Sequence, residues 1–205
     1  MVIRGLLTFL VALLSTVALA GGDVEAGKAM AITCGACHGQ DGNTGLMPTY
    51  PGIGGQKESY LFRQLTLIQS GARAAPLMAG QLNGKSEEDL RNLAAYYSSL
   101  VPKQGEAAGT DEAIAQAQGI YRGGIMGKRV AACTACHSPT GNGNELAGFP
   151  RIAGQSPDYT ILQLTAYREG QRVTDEDFGD MMQDVAAGLT DTEIKNLADY
   201  LQGLH

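Results

Sequence analysis

The 205-residue chain contains no tryptophan and four phenylalanines, and aromatic residues make up 6% of it. Domains this short of large rings have little of their own with which to fill an interior. Basic residues are outnumbered, 15 against 21 acidic ones, for a net charge of −6, which excludes the positive footprint of a nucleic-acid binder. No Gly-rich nucleotide fingerprint occurs, so a nucleotide-dependent dehydrogenase is excluded too. Beyond residue 20 no apolar run is long enough to cross a bilayer. Cysteine and histidine are scarce as well, four and three respectively, and their placement carries most of the meaning in the chain.

The long apolar run lies at the N-terminus. Arg4 supplies a positive start, Gly5 to Ala20 is almost unbroken in its hydrophobicity, and Ala18-Leu19-Ala20 has the small-x-small form of a cleavage site. The run is short for a membrane span and ends in Gly21-Gly22-Asp23. Residues 1–20 are therefore expected to be a secretory signal peptide, with an uncleaved anchor as the other reading. The mature chain then begins near Gly21 in an exported, oxidising compartment.

In such a compartment four cysteines would ordinarily form two disulfides. These cysteines instead stand in two pentapeptides, Cys34-Gly35-Ala36-Cys37-His38 and Cys133-Thr134-Ala135-Cys136-His137. A disulfide across three residues closes too small a loop to stabilise much, and zinc ligand pairs lie far closer than ninety-odd residues. Neither alternative explains a histidine at the same place in both copies. Cys-x-x-Cys-His is the attachment sequence of c-type haem. Cysteines at i and i+3 reach the two vinyl groups on one porphyrin edge, and the next residue carries its imidazole to the iron. Two covalently attached haem c groups are expected, on Cys34 and Cys37 and on Cys133 and Cys136.

The offset of ninety-nine residues extends well past the motifs. Pro51-Gly52-Ile53-Gly54-Gly55-Gln56 falls on Pro150-Arg151-Ile152-Ala153-Gly154-Gln155, Tyr60, Gln64 and Leu65 on Tyr159, Gln163 and Leu164, and Gly71 and Arg73 on Gly170 and Arg172. Near the end the offset becomes 104, where Leu93-Ala94-Ala95-Tyr96 meets Leu197-Ala198-Asp199-Tyr200. The second copy thus has about five extra residues around Val173 to Asp180, and an insertion within Gly123 to Arg129. This is the duplication of a whole domain: residues 21–100 and 111–205, joined by a linker at 101–110 that contains Pro102, Gly105 and Gly109.

Each copy is expected to be all-α. Helices are predicted over Val24 to Thr33 and from Asp111, and over Glu58 to Ser70 and from Ser156-Pro157. The last pair begins at Ser86-Glu87-Glu88-Asp89 and Thr190-Asp191-Thr192-Glu193, both variants of a capping box. Leu90, Leu93, Ala94 and Tyr97 form one apolar face, as do Ile194, Leu197, Ala198 and Leu201. Haem would supply the apolar body that the scarce rings do not, so the apoprotein should fold poorly. Charge separates the copies: Gly21 to Gly105 holds seven acidic and seven basic residues, and the remainder fourteen and seven.

His38 and His137 are the expected proximal iron ligands. For the sixth position methionine is the remaining good donor, since His205 is terminal. A gapless alignment of the final helices sets Met78 opposite Met182, and a neutral thioether favours ferrous iron. Met181 adjoins Met182 and satisfies the spacing, but its repeat partner is Leu77, which favours Met182. Met47 and Met126 have no repeat partners and are read as core packing. A carbonyl of the loops opened by Pro51 and Pro150 could accept the imidazole Nδ1–H, or those loops are simply turns. Arg73 and Arg172 could reach haem propionates, or stand exposed after their helices.

With these residues in view the mature sequence resembles the dihaem cytochrome c4 family, and each half resembles a class I cytochrome c. The resemblance rests on the two haem motifs, the Pro-x-Ile-x-Gly-Gln loops, Tyr121-Arg122-Gly123-Gly124 and Leu93-Ala94-Ala95-Tyr96-Tyr97. It implies two His/Met haems whose propionate edges face across a domain interface. It further implies a periplasmic electron carrier, often loosely membrane-associated, working from a quinol-oxidising bc-type complex towards a terminal oxidase. Relatives often carry Met-Met in both halves, whereas the first half here has Leu77-Met78. A carrier with both axial positions filled is not an enzyme and takes no small-molecule substrate. The competing readings are a small dihaem peroxidase, which would need a labile sixth ligand, a haem subunit attached to a dehydrogenase, and a haem-based gas or redox sensor, which would need an output domain. The acidic stretch Asp175-Glu176-Asp177-Phe178-Gly179-Asp180 is a candidate docking surface for a basic redox partner.

Overall fold

The computed structural model describes residues 21–78, 80–172 and 178–205. The expected signal peptide and the carboxylates of Asp175, Glu176 and Asp177 lie outside the described residues. The first half contains α1 (Val24–Ala31), α2 (Gly35–His38), α3 (Glu58–Gln69) and α4 (Glu87–Ser99). The second contains α5 (Asp111–Gly123), a 3-10 turn (Met126–Lys128), α6 (Thr134–His137), α7 (Pro157–Arg168), α8 (Met181–Ala187) and α9 (Asp191–Gln202). Among the described residues the extended pairing is confined to two isolated bridges, Ile125 with Val130 and Asn144 with Phe149. The fold is all-α, as two tandem class I cytochrome c-like domains.

Local chemistry fixes where these helices begin. Asp23 accepts hydrogen bonds from the N–H groups of Glu25 and Ala26 at the start of α1. Ser86 and Asp89 form a reciprocal capping box on α4, as Thr190 and Glu193 do on α9, each satisfying two otherwise unpaired N–H groups. α1 packs across α4, and α3 lies against α4; in the second half α5 and α7 pack on α9. The α1–α4 approach depends on Gly27: a Cβ there would overlap the carbonyl of Asn92 and lie 2.8 Å from Tyr96 Cβ. Two separate cores result. One gathers Ala31, Leu61, Leu93, Ala94 and Tyr97, the other Ala117, Ile120, Tyr121, Leu189, Ile194, Leu197 and Leu201. Tyr121 is wholly buried, stacks 5.5 Å from Tyr200 and donates its hydroxyl to Ser138 O at 2.5 Å.

Residues 101–110 are without helix and lie across both halves. Gly55 and Gly154, repeat partners at φ 70° and 73°, bring their backbones against Pro102 and Lys103 where a side chain would not fit. Asp199 of α9 then accepts from the N–H groups of Ala108 and Gly109, both at 2.9 Å.

Two differences between the copies stand out among the described residues. The insertion before the second motif folds into a small loop closed by the Ile125–Val130 bridge, with Arg129 left-handed at φ 60°. Lys128 from that loop reaches both carboxylate oxygens of Glu193, at 2.7 and 2.9 Å. Met126 at its tip is 95% exposed, and Met47 in the first half is 50% exposed. The core-packing reading of these two methionines is therefore corrected: each sits on a loop rather than on an apolar helix face. The other difference is α8, whose counterpart in the first half is a series of turns from Pro76.

Candidate cofactor sites and the interface between them

Each Cys-x-x-Cys-His sequence forms a single helical turn, the first directly after α1 and the second after the inserted loop that follows α5. Cys34 N–H bonds to Ala31 O at 3.0 Å and His38 N–H to Cys34 O at 3.0 Å; His137 N–H bonds to Cys133 O at 2.9 Å. On such a turn residues three apart share one side, so each cysteine pair presents its sulfurs together. None of the four cysteines is in a disulfide. The chain then reverses through Gly39 at φ 78° and Ser138 at φ 68°.

This reversal brings the Pro-containing loops back over the histidines. His38 Nδ1 lies 3.1 Å from Pro51 O, and His137 Nδ1 lies 2.9 Å from Pro150 O. A carbonyl can only accept, so Nδ1 carries the proton and Nε2 keeps its lone pair free to bind a metal. Both rings are buried. Burial holds their pKa values below the ordinary histidine range, against the raising effect of the carbonyl hydrogen bond, so each imidazole is neutral and a competent ligand. Tyr50 and its repeat partner Phe149 flank them, with ring centroids 6.5 and 6.4 Å from His38 and His137.

The methionine positions also correspond. Leu77 is 72% exposed while Met78 is half-buried; Met181 is exposed while Met182, one residue on in α8, is half-buried.

Arg73 and Arg172 do not stand exposed after their helices. Both enter the seam between the copies, where they obey the symmetry of the repeat. Arg73 donates to Gln64 Oε1 at 2.7 Å in its own half, and to the Tyr159 hydroxyl at 2.9 Å and Gln163 Oε1 at 3.3 Å across the seam. Arg172 donates to Gln163 Oε1 at 2.7 Å, and across the seam to the Tyr60 hydroxyl at 3.0 Å and Gln64 Oε1 at 3.1 Å. Burial alone would raise the Tyr60 phenol. The charges of Arg172, Arg73 and Arg63 outweigh it and hold the group below its usual value.

A second reciprocal exchange lies beside the first. Gln56 accepts from Arg151 N–H at 2.7 Å and donates to Arg151 O at 2.8 Å. Gln155 accepts from Gly52 N–H and donates to Gly52 O, both at 2.9 Å. Glu145 of the second half caps α3 of the first, accepting from Glu58 N–H at 3.0 Å and Ser59 N–H at 2.7 Å. The repeat alignment had already paired Gln56 with Gln155, Tyr60 with Tyr159 and Gln64 with Gln163. Polar residues repeated in the Pro-x-Ile-x-Gly-Gln loops and along the helices that follow them were the available signal of an interface.

These residues fit haem. The sulfur pairs and the free imidazole nitrogens are the donor set of a c-type site. Arg63 Nη1 and Gln64 Nε2 are buried in the seam without a hydrogen-bond partner. Unpaired buried donors are costly, and beside this group of guanidiniums they suit the carboxylates a haem carries.

Two Cys-x-x-Cys-His turns, each followed by a carbonyl-oriented imidazole, on a duplicated all-α frame define a dihaem c-type cytochrome. The cytochrome c family model matches residues 125–205. Cytochrome c4 of Stutzerimonas stutzeri is 43% identical over 96% of this chain and 98% of its own. The crystal structure of reduced recombinant cytochrome c4 from Pseudomonas stutzeri superposes with a TM-score of 0.85 at 42% identity, over 90% of this chain and all of that one. A thiosulfate dehydrogenase electron acceptor from Stutzerimonas stutzeri (strain A1501) is 33% identical over 83% of this chain and 78% of its own. The chain belongs to the cytochrome c4 family: it is an electron-transfer protein with two covalent haem c groups.

Proposed function

We propose that this protein is a periplasmic, non-enzymatic electron shuttle whose two haems are bound through Cys34 and Cys37 and through Cys133 and Cys136. His38 and Met78 ligate the first iron, and His137 and Met182 the second. The observation that carries the reading is the double correspondence: two Nδ1–carbonyl hydrogen bonds, at Pro51 and Pro150, and two half-buried methionines at matching places. Exposure of Met181 supports Met182 as the ligand of the second site.

The haem iron supplies a one-electron ferric/ferrous couple. The residues of the chain keep that couple simple. Pro51 and Pro150 fix the imidazole planes and hold the proton on Nδ1, so reduction requires no proton movement there. The thioethers of Met78 and Met182 would complete each ligand set, favour the ferrous state and leave no place for a substrate. The Gln56 and Gln155 exchanges hold domains 21–100 and 111–205 in one arrangement across the 101–110 linker, so passage between the sites needs no large reorganisation. Residues 1–20 are the export signal. Among the described residues no helix is long and apolar enough to cross a membrane.

Electrons would enter from a quinol-oxidising bc-type complex and leave to a terminal oxidase. The likeness to a thiosulfate dehydrogenase electron acceptor favours a second donor, an enzyme oxidising inorganic sulfur. The absorption spectrum of the purified protein in both oxidation states tests the ligand set. Two haems per chain, both low-spin and with the long-wavelength methionine–iron band, are expected. Met78→Ala and Met182→Ala should each remove half of that band, and Met181→Ala none. A high-spin site in the unaltered protein would overturn the carrier reading in favour of a peroxidase. Stopped-flow reduction by each donor class then separates the two respiratory placements.

A further inference from the structure

The seam obeys the repeat almost throughout, and its clearest departure is Arg63. Its repeat partner is Leu162, which is 51% exposed and carries no donor. The guanidinium of Arg63 stacks 4.3 Å from the centroid of Phe178, a second-domain residue that falls within the extra residues of that copy. Phe178 lies 6.0 Å from Phe149, and Phe149 lies 6.4 Å from the ring of His137. A chain of contacts, one cation–π pair and two tilted ring pairs, therefore runs from a cation of the first domain to the imidazole of the second site. At the first site Tyr50 takes the place of Phe149, and the chain of contacts has no counterpart beyond it among the described residues. Arg63 Nη1, buried and without a hydrogen-bond partner, marks this as a cation placed for something other than a protein acceptor. The described residues provide Arg63 with no ion pair: the carboxylates that do pair are Glu87, Glu169, Asp191 and Glu193, with other cations.

We infer that Arg63 makes the two haems unequal, acting from the first domain as a positioning and potential-setting residue for the second site. The inference rests on the reading that each motif carries a haem with its carboxylates towards the seam. A fixed positive charge disfavours the ferric state, which carries one more positive charge than the ferrous. The second couple is therefore raised relative to the first. The contact distances bound the path from guanidinium to imidazole at about 17 Å. Over that length a unit charge in a medium of dielectric ~20 shifts a one-electron equilibrium roughly fivefold. Cation–π contact with Phe178 holds the charge in place.

The test is a spectroelectrochemical titration of the holoprotein, with each couple assigned to its domain by NMR through the thioether bridges at Cys34 and Cys133. Arg63→Leu should lower the second couple more than the first, reducing the electron-distribution constant between the haems by up to roughly fivefold. Phe178→Leu should act in the same direction more weakly, and Arg63→Lys should keep more of the shift than Arg63→Leu does. If Arg63→Leu moves neither couple, both equally, or only the first, the inference is overturned. Should that variant fail to load haem, an unmoved second couple in Phe178→Leu overturns it independently. Failure of the underlying reading shows earlier and differently, as fewer than two low-spin haems in the unaltered protein.

Discussion

Substituting Gln56 tests whether the paired glutamine exchange holds the two domains together. Gln56 is 8% exposed, and its carboxamide makes three contacts: with Arg151 N–H at 2.7 Å, Arg151 O at 2.8 Å and Lys57 N–H at 2.8 Å. A hydrogen bond of this kind contributes about 1 kcal/mol net, and a buried donor left unpaired costs about 1–3 kcal/mol. Gln56→Ala removes both contacts to Arg151 at once and should destabilise the holoprotein by about 2–4 kcal/mol. Gln56→Glu is the sharper variant. It keeps the shape, but an oxygen replaces the amide nitrogen and faces Arg151 O, so its loss should equal or exceed that of alanine. Guanidinium denaturation of the haem-loaded protein provides the measurement, with limited proteolysis of residues 101–110 reporting separation of the domains. Gln104→Ala, on the exposed part of the linker, serves as the control and should change stability by less than about 0.5 kcal/mol. If Gln56→Ala and Gln56→Glu both fall within the range of that control, the exchange does not hold the interface and the reasoning fails.

Gly27→Ala should destabilise the first domain by about 1–3 kcal/mol or more, because its methyl group would meet the backbone of α4; thermal melts that leave Tm unchanged would show that α1 can move away freely. Burial opposes ionisation of Glu193, but hydrogen bonds from Lys128 and Thr190 outweigh it and hold the carboxyl below its ordinary value. That contribution is present above the unfolded glutamate pKa of about 4.3 and is lost as pH falls through the lower folded value. Lys128→Met should therefore be less stable than the parent at pH 7 and converge with it in acid, whereas a difference constant down to pH 3 would contradict the assignment. Replacing Cys133 and Cys136 by serine removes the haem attachment of the second domain. Circular dichroism should then show loss of helix from that half, and a fully helical spectrum would mean that its core closes without the cofactor.

The helices were legible because their signals are local. Ser86-x-x-Asp89 and Thr190-x-x-Glu193 reach only their own first turns, and the face Leu90, Leu93, Ala94 and Tyr97 needs only helical period to be recognised. The Met181–Ala187 helix was not read, since it lies where the repeat is broken and has no counterpart from which to infer it. Met47 and Met126 were misplaced for a similar reason. Methionine in a sequence looks like core unless the loop that carries it is seen. The alternatives left open for Arg73 and Arg172 involve residues about a hundred positions away, and no pattern within one copy could choose between them.

By itself the sequence determined the chemistry: two sulfur pairs, two imidazoles, two methionines at matching places and a duplicated helical frame. Those features are covalent or periodic, and each is confined to a few neighbouring residues. Only the tertiary structure decided how the copies meet. The glutamine exchange, the arginine–tyrosine seam and the chain of contacts from Arg63 to His137 all join groups from opposite halves. Their energies depend on burial and on distances of a few ångströms, which exist only once both domains have folded and docked.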